Sequence, residues 1–315
     1  MSYVRTGLAA VLAMAAPPAF AETLPVAGSV PAARANVNDL FRIAVDRFEG
    51  EDGAELTQAV EAALGSARFA GRPYFRMIAI ETGAPFDAIV SGTVRTSISE
   101  NRVTENRKRC VEHDPRDKKK CLKEVDVDIR CQRRVVTVST TVRLAAASDG
   151  AIRYSRPLSS RDEQVFCPDR DGGRTIDDFV TDALRQQVGS IRRDIVPDEY
   201  RTDVRVDENR KGMPKAAQEG FKAAIRQTKS DPLGACASWQ AMAREAAPTG
   251  ALAYNLGLCA EMDGDLRAAT DWYGQAQRLG TRGRLVTEAL ERVAATRRAE
   301  ADWSVRQQSM VDGAL

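Results

Sequence analysis

A near absence of histidine sets the first limit on what this chain can do. The 315 residues contain one histidine, His113, which lies in a stretch crowded with charged residues. A metalloprotease motif of the H-E-x-x-H type needs two histidines, and a Ser-His-Asp triad needs one beside its nucleophile. The sequence also lacks G-x-S-x-G and the glycine-rich motifs that bind phosphates. It therefore predicts a protein that is not an enzyme and that uses no cofactor and no metal.

An excess of charge of one sign is also missing. The chain has 46 Lys+Arg against 44 Asp+Glu, a net charge of +2. No global field therefore attracts nucleic acid or a membrane surface. After the N-terminal region, no stretch approaches the roughly 18 apolar residues that a membrane span requires. We expect no nucleic-acid partner and no stable membrane insertion.

The first residues have the composition of a secretory signal peptide. Residues 1–21 contain Arg5, an apolar core from Gly7 to Ala16, and the small-residue sequence Ala19-Phe20-Ala21. Cleavage is expected after Ala21, and no cysteine follows that site for lipid attachment. The alternative, a retained membrane anchor, is disfavoured by the short core and by the proline pair that follows it. We therefore expect export to the periplasm of a Gram-negative cell.

Six cysteines in an exported protein indicate disulfides, because the compartment is oxidising. Two pairs are symmetric about good turn sequences, at 114–117 and at 148–150. Antiparallel pairing around each turn would bring both pairs into cross-strand register. The third pair falls on neighbouring helices of the helical region described below. The predicted bridges are Cys110–Cys121, Cys131–Cys167 and Cys236–Cys259. A zinc site is the alternative, but the spacings contain no C-x₂₋₄-C pair.

The N-terminal half shows the pattern of a mixed α/β domain over residues 39–208. Residues 22–38, rich in alanine and proline, have no periodicity and are predicted to be a flexible leader. The expected elements are a strand at 39–48, a helix from Ala54 to about Gly65, a short strand within 69–78 with an irregular break at Gly71–Pro73, and the strand Asp87–Val94. The last of these would close a β-α-β unit.

A long antiparallel meander is predicted from Ala88 to Cys167, where apolar residues alternate with period two. The alternating sets at 125–131 and 136–144 are out of phase, which predicts a β-bulge or a bend within Gln132–Val135. An amphipathic helix over 174–194 would cover a sheet face, and a charged edge strand would follow from Tyr200 to Asp207.

Residues 214–310, beyond a boundary at 209–214, are helical and rich in alanine. The spacing of Leu256, Gly257, Gly264, Ala269, Tyr273 and Ala276 resembles a tetratricopeptide repeat. A weaker copy lies 34 residues earlier, in Lys215–Pro248, and a capping helix is expected at 284–309. The predicted fold class is thus α+β: a mixed α/β domain with a long meander and covering helices, then an all-α tetratricopeptide-like domain.

The repeat register implies a concave groove that binds a partner. Helix positions facing such a groove would be Ala251, Tyr254, Leu258, Glu261 and Met262. An envelope protein is the expected occupant.

The hairpin at 102–134 is locally basic, with twelve Lys+Arg against seven Asp+Glu. One interpretation is an electrostatic arm for anionic envelope polymers or an acidic protein, and the other is a hairpin tip kept solvated by its charge. Aromatic residues are absent there, so a stacking platform for nucleic acid is not supported.

Four segments together resemble the curli-assembly CsgG family and the related periplasmic domains of TolB-N type. They are the strand Ile43–Phe48, the helix with Leu56 and Leu64, the pair Arg68-Phe69, and the strand Asp87–Val94. Over about residues 39–196, the resemblance implies an envelope domain that binds proteins or assembles without catalysis. Two features depart from that family: the lipidation cysteine is missing, and 102–134 is too charged for transmembrane hairpins.

The expected function is therefore a periplasmic adaptor or assembly factor. It would bind envelope proteins through the α/β domain and the repeat groove, in envelope or peptidoglycan biogenesis. The alternative is a periplasmic binder of an anionic glycan or lipid through the hairpin at 102–134.

Overall fold

The computed structural model describes residues 22–170 and 172–312, so the expected signal peptide at 1–21 lies outside the described residues. Contacts divide the described chain into two units. An α/β unit comprises residues 29–200 with 294–312, and a helical unit comprises 22–28 with 201–293. Both units are therefore discontinuous in sequence, whereas the predicted boundary at 209–214 separated two continuous domains.

The element order is that of an α+β protein, as the sequence predicts. The strands are β1 (Thr23–Val30), β2 (Arg42–Val45), β3 (Arg68–Phe69), β4 (Arg72–Pro73), β5 (Arg76–Met77), β6 (Ala88–Asp114), β7 (Asp117–Ala146), β8 (Ile152–Phe166) and β9 (Asp198–Arg205). The helices are α1 (Gly53–Gly65), α2 (Ile176–Ile195), α3 (Lys215–Gln227), α4 (Pro232–Glu245), α5 (Gly250–Met262), α6 (Leu266–Arg278) and α7 (Gly283–Asp312).

A five-stranded sheet in the order β5-β2-β6-β7-β8 organises the α/β unit. Strand β2 runs parallel to β5 and β6, with α1 as the crossover, so the predicted β-α-β unit is present. Strands β6, β7 and β8 pair antiparallel and form the predicted meander. The short strand expected within 69–78 is instead three two-residue strands, because Ala70 and Gly71 both adopt positive φ and turn the chain there.

The bulge predicted within Gln132–Val135 is wrong. Pairing runs without a shift from Gln132 opposite Arg102 to Val136 opposite Ile98. Even-numbered β7 residues from Val136 onward are buried in the core, whereas the odd-numbered set before Cys131 lies on the opposite face. The two alternating sets are therefore out of phase because the more buried face changes along one continuous strand.

Helix α2 packs its apolar side onto the sheet, as its pattern predicts. Its first turn is capped by Thr175, whose Oγ1 accepts a hydrogen bond from the Asp178 amide at 3.1 Å. The buried residues of this face are Phe179, Val180, Ala183, Leu184, Val188 and Ile191. The helix ends at Ile195, two residues before Pro197.

Helix α7 contributes to both units. Its N-terminal part buries Val286, Ala289 and Val293 in the helical core, whereas Ala299 and Trp303 belong to the α/β core. The helix was expected only as a cap for the repeats at 284–309, within a domain ending at 310. That assignment fails because its apolar residues after Val293 fill the α/β core.

The core of the helical unit is built from α3 to α6 with the first part of α7. Trp239 and Tyr273, the large residues of the repeat pattern, are fully buried. A Cβ atom on Gly257 would lie 2.4 Å from the Tyr273 ring, so a glycine is required where the ring meets the helix. The Cys236–Cys259 disulfide joins α4 to α5 with a Cα separation of 5.7 Å.

The flexible leader predicted at 22–38 is wrong. Residues Thr23–Val30 form strand β1, which pairs with the charged strand β9 that was predicted. Leu24 and Val26 are buried in the helical core. Their alternation with exposed residues is too short to stand out in an alanine- and proline-rich stretch.

Candidate functional site

A long and largely exposed feature of the α/β unit is the segment Arg102–Arg134, called the arm below. Pairing of β7 with β8 ends at Gln132 opposite Phe166. From Val103 opposite Cys131 to Asp114 opposite Asp117, the arm is a two-stranded ribbon. Twelve residues of antiparallel strand extend roughly 40 Å. The arm therefore presents side chains far from the sheet that supports it.

The two faces of the arm differ in exposure because successive side chains point to opposite sides. One face is exposed and charged and consists of Arg102, Thr104, Asn106 and Lys108 on β6 with Glu124, Asp126, Asp128 and Arg130 on β7. The other face is half-buried and includes Val103, Glu105 and Arg107 on β6 with Val125, Val127 and Ile129 on β7.

The half-buried face is partly covered by the chain that follows β8. The predicted Cys131–Cys167 disulfide is present, with a Cα separation of 4.4 Å, and agrees with the register at Gln132–Phe166. Arg107 pairs with Glu105 and donates to Asp169 at 3.1 Å. Glu105 also approaches both sulfurs, but the bridged cysteines offer no thiolate to a metal.

A concavity of about 830 Å³ lies at the base of the arm. Its lining includes Arg102, Arg130, Gln132 and Phe166. The guanidinium of Arg134 stacks 4.5 Å over the Phe166 ring. Two exposed guanidinium groups beside an aromatic ring can bind a carboxylate or phosphate group of an extended molecule. Sequence analysis missed Phe166, whose position just before Cys167 was the available signal.

The tip of the arm is irregular. The predicted Cys110–Cys121 disulfide is present, with a Cα separation of 5.8 Å. The register expected for it is wrong, because Cys110 lies opposite Glu124, and the pairing shifts at Cys110, Glu112 and His113. Only the turn, with Asp114 opposite Asp117, keeps the predicted symmetry. The bridge therefore crosses a distorted ribbon.

The residues predicted to line a partner groove lie mostly inside the helical unit. Ala251, Tyr254, Leu258 and Glu261 are at most 5% exposed, and only Met262 is half-buried. This contradicts an open groove at these positions. A partner could reach these four side chains only if the unit opened.

The chain itself occupies this position, which is the physical reason for the correction. Asn255 accepts a hydrogen bond from the Asp207 amide at 2.8 Å and donates to its carbonyl at 3.0 Å. Arg282 donates to the Asp207 carboxylate at 3.0 Å. The Tyr254 hydroxyl donates to the Arg205 carbonyl at 3.5 Å. Hydrogen bonds therefore bind the end of β9 and the segment after it to the helical unit, much as they would bind a partner peptide.

Glu261 is a structural residue in this arrangement. Its carboxylate accepts two hydrogen bonds from Arg292, at 2.6 and 2.7 Å, and one from the Tyr273 hydroxyl at 2.6 Å. Burial and the nearby Glu261 carboxylate raise the pKa of Tyr273. Burial opposes the charge of Arg292, but Glu261 more than compensates, so the pKa of Arg292 is raised. The triad ties α5, α6 and α7 together.

The helices of the described part of the chain were also compared with the length and hydrophobicity of a membrane span. None of them combines enough length with enough apolar character to cross a bilayer.

Comparisons with known proteins give no family. No protein-family model matches the chain, and no curated protein matches it. Two crystal forms of the PelC dodecamer from Paraburkholderia phytofirmans are similar to it in structure. One, a point variant, has 13% identity and a TM-score of 0.24, and covers 55% of this chain and 98% of PelC. The other has 11% identity and a TM-score of 0.25, and covers 55% and 99%. A TM-score this low carries no argument about fold or function.

Proposed function

We propose that this chain is an exported, non-enzymatic binding protein that contacts an anionic component of the cell envelope through the arm. The shared chemistry of its ligand is a carboxylate or phosphate group, carried by a glycan or by a lipid. The observation that carries the proposal is the exposed arm itself, which has twelve cationic and seven acidic residues over Arg102–Arg134 and is a two-stranded ribbon from Val103 to Cys131.

The charges of the arm support this function because most of them remain available. Two of its ion pairs are long and involve exposed lysines, Lys108–Glu124 at 3.8 Å and Lys120–Asp114 at 3.7 Å. Such exposed pairs hold their partners weakly. A polyanion can therefore replace the acidic partners of these lysines at little cost in free energy.

Export is supported by the three disulfides, which account for all six cysteines. Structural disulfides persist in oxidising compartments such as the periplasm. The sequence-based expectation of a signal peptide agrees with that location.

The test is binding of the intact oxidised protein to a soluble polyanion, polygalacturonate, at low and high salt. The triple variant Lys118→Gln, Lys119→Gln, Lys123→Gln is expected to weaken binding by about tenfold or more at low salt. The matched control is Lys211→Gln, Lys215→Gln, Lys222→Gln, which makes the same change in net charge on the helical unit. Equal losses in both variants would mean that net charge, and not the arm, controls binding.

A second function, the adaptor expected from the sequence, is favoured by a different feature of β6. Within the described residues, β2 pairs with β6 only from Ala88 to Val90, with one further bridge from Glu49 to Thr93. The outer edge of β6 from Arg95 onward can therefore accept an extended segment of an envelope protein as an added strand. The resemblances to the CsgG family and to tetratricopeptide repeats remain predictions.

Crosslinking in the native periplasm tests the adaptor function. Recovery of one envelope protein joined to residues 95–114, after mass spectrometry of the crosslinked peptides, would support it. Crosslinks spread over many proteins and many sites would contradict it.

A further inference from the structure

The tip of the arm carries two exposed aliphatic side chains at its register shifts. Val111 and Leu122 are absent from the cross-strand pairs of β6 and β7. Val111 is 54% exposed and Leu122 is 51% exposed. Each follows directly after a cysteine of the Cys110–Cys121 bridge. An extra residue at a bulge redirects its side chain away from the regular pleat, so both are displayed to the surroundings.

The disulfide keeps these two side chains near one another. The bridged Cα atoms are 5.8 Å apart, and each aliphatic residue is the next residue along the chain, about 3.8 Å further. A two-stranded ribbon alone is marginally stable, so its end would fray without a crosslink. The bridge therefore keeps the Cα atoms of Val111 and Leu122 within about 13 Å of each other at the end of the arm, and these two exposed side chains are called the apolar patch below.

Unpaired cations lie close in sequence to this patch. Within the described residues, five cations between 108 and 124 have no ion pair: Arg109, Arg116, Lys118, Lys119 and Lys123. The two aspartates of the turn are partly engaged, since Asp114 accepts from the Arg116 amide and Asp117 accepts from the Lys119 amide. With seven Lys+Arg against four Asp+Glu between residues 108 and 124, the tip has a net positive charge.

An apolar patch in a basic segment matches one class of partner best. Anionic glycans satisfy the lysines but give exposed aliphatic groups nothing to contact, and the tip has no Phe, Tyr or Trp ring to stack on a sugar or base. An anionic lipid surface satisfies both, because the acyl boundary takes aliphatic side chains and the headgroup phosphates attract lysine.

We infer that the tip of the arm docks onto an anionic phospholipid bilayer, with Val111 and Leu122 entering the acyl boundary and the surrounding lysines contacting headgroup phosphates. This inference rests on the proposed function and names the ligand of the same surface. The contact is peripheral, since two aliphatic side chains reach only the interface.

The experiment uses the intact oxidised protein and vesicles of about three parts phosphatidylcholine to one part phosphatidylglycerol. Flotation at low salt is expected to recover the protein with these vesicles and not with phosphatidylcholine alone. The double variant Val111→Ser, Leu122→Ser is expected to lower the apparent partition constant by about tenfold. Ile152→Ser removes an equally exposed aliphatic residue, 58% exposed on β8, and is expected to change nothing.

A direct readout of insertion comes from Leu122→Trp with lipids brominated on their acyl chains. Quenching of the added fluorescence is expected for this variant and not for the control Ile152→Trp. Quenching of both, or of neither while the vesicles bind, would overturn the inference.

The outcomes separate this inference from the proposed function. Salt-sensitive binding to anionic vesicles that is unchanged by Val111→Ser, Leu122→Ser overturns insertion but leaves the arm as an electrostatic binder. Binding to polygalacturonate without binding to vesicles would also overturn insertion and leave the arm as an electrostatic binder. Failure to bind either ligand overturns both, and capture of an acidic protein instead would overturn the lipid assignment.

Discussion

Asp87 shows how one residue fixes the entry to the central sheet. It lies just before β6, and its Oδ2 accepts hydrogen bonds from the amides of Phe41 at 2.9 Å and Arg42 at 2.6 Å. Its Oδ1 accepts from the Arg42 guanidinium at 2.7 and 3.0 Å. A single carboxylate therefore holds the start of β2 beside the start of β6.

The pH dependence of stability follows from these bonds. Partial burial raises the pKa of Asp87, but the Arg42 side chain and the two amides outweigh it and lower the pKa below 3.8. A lowered folded-state pKa stabilises the protein above the unfolded value, and this stabilisation is lost as the pH falls through the folded value.

Asp87→Asn is therefore expected to lower the free energy of unfolding by about 1–3 kcal/mol near neutral pH. The difference from the parent protein should begin to shrink as the pH falls below about 4, where the carboxylate of the unfolded chain becomes protonated, and should go on shrinking until the pH falls through the lower pKa of the folded protein. Urea unfolding across this pH range measures both values. Asp46→Asn, at an exposed carboxylate, serves as the control, and a difference that persisted unchanged in acid would contradict the argument.

At the scale of elements, sequence periodicity gave the meander and the helices but not their partners. Alternation identified β6, β7 and β8 because one face of each is buried, and the symmetry of the cysteines identified their bridges. Alternation could not show that the buried face changes along β7. A β-bulge was therefore predicted where the pairing is regular. Helical periodicity likewise cannot show that Trp303 belongs to a different core from Val293, since both positions fit one amphipathic helix.

The candidate site was predictable to a similar extent. The charge of the arm is a property of composition, so the sequence located it. The burial of Tyr254 and Glu261 depends on where the segment around Asp207 lies, and no local pattern encodes that contact. The exposure of Val111 and Leu122 depends on register shifts that the symmetric cysteine spacing did not indicate.

Helix α7 is attached to the α/β core by Arg306, which is 1% exposed. Its guanidinium donates to the carbonyls of Asn38 at 3.0 Å and Tyr74 at 2.5 Å, and lies 4.0 Å over the Tyr74 ring. Burial lowers the pKa of Arg306, and the nearby Tyr74, Asp87 and Asp39 offset this effect only in part. The side chain joins the helix to two separate segments of the unit.

Arg306→Met keeps most of the apolar stem but leaves those carbonyls without their donor. We expect a loss of about 2–4 kcal/mol in the free energy of unfolding. Guanidinium denaturation followed by Trp303 fluorescence measures it. Arg298→Met, at an exposed position of the same helix, should change stability by less than about 0.5 kcal/mol. Equal losses of unfolding free energy in the two variants would show that Arg306 does not attach the helix to the α/β core.

At the scale of the whole molecule, each unit is completed by chain from a distant part of the sequence. The α/β unit needs residues 294–312, and the helical unit needs residues 22–28. Neither unit corresponds to a continuous stretch that could be cut out with its core intact. The boundaries of either unit therefore cannot be placed at a single linker.

Ending the chain at Val293 tests this organisation. The shortened protein loses Ala299 and Trp303 from the α/β core but keeps the Cys236–Cys259 bridge and the residues of the helical core. Limited proteolysis is expected to cut within residues 29–200 first, while 201–293 stays protected. Preferential cleavage within 201–293 would show that the helical unit depends on the missing residues instead.

The shared helix also has a consequence for the order of synthesis. Residues 29–200 are made before 294–312, and roughly ninety residues separate the two parts of the α/β unit. At about 5–20 residues per second, the earlier part waits roughly 5–20 seconds for the rings of Phe69 and Tyr74 to meet Trp303. During that interval an apolar surface stays uncovered on the growing chain. The α/β core is therefore the part of this protein that only its last residues can complete.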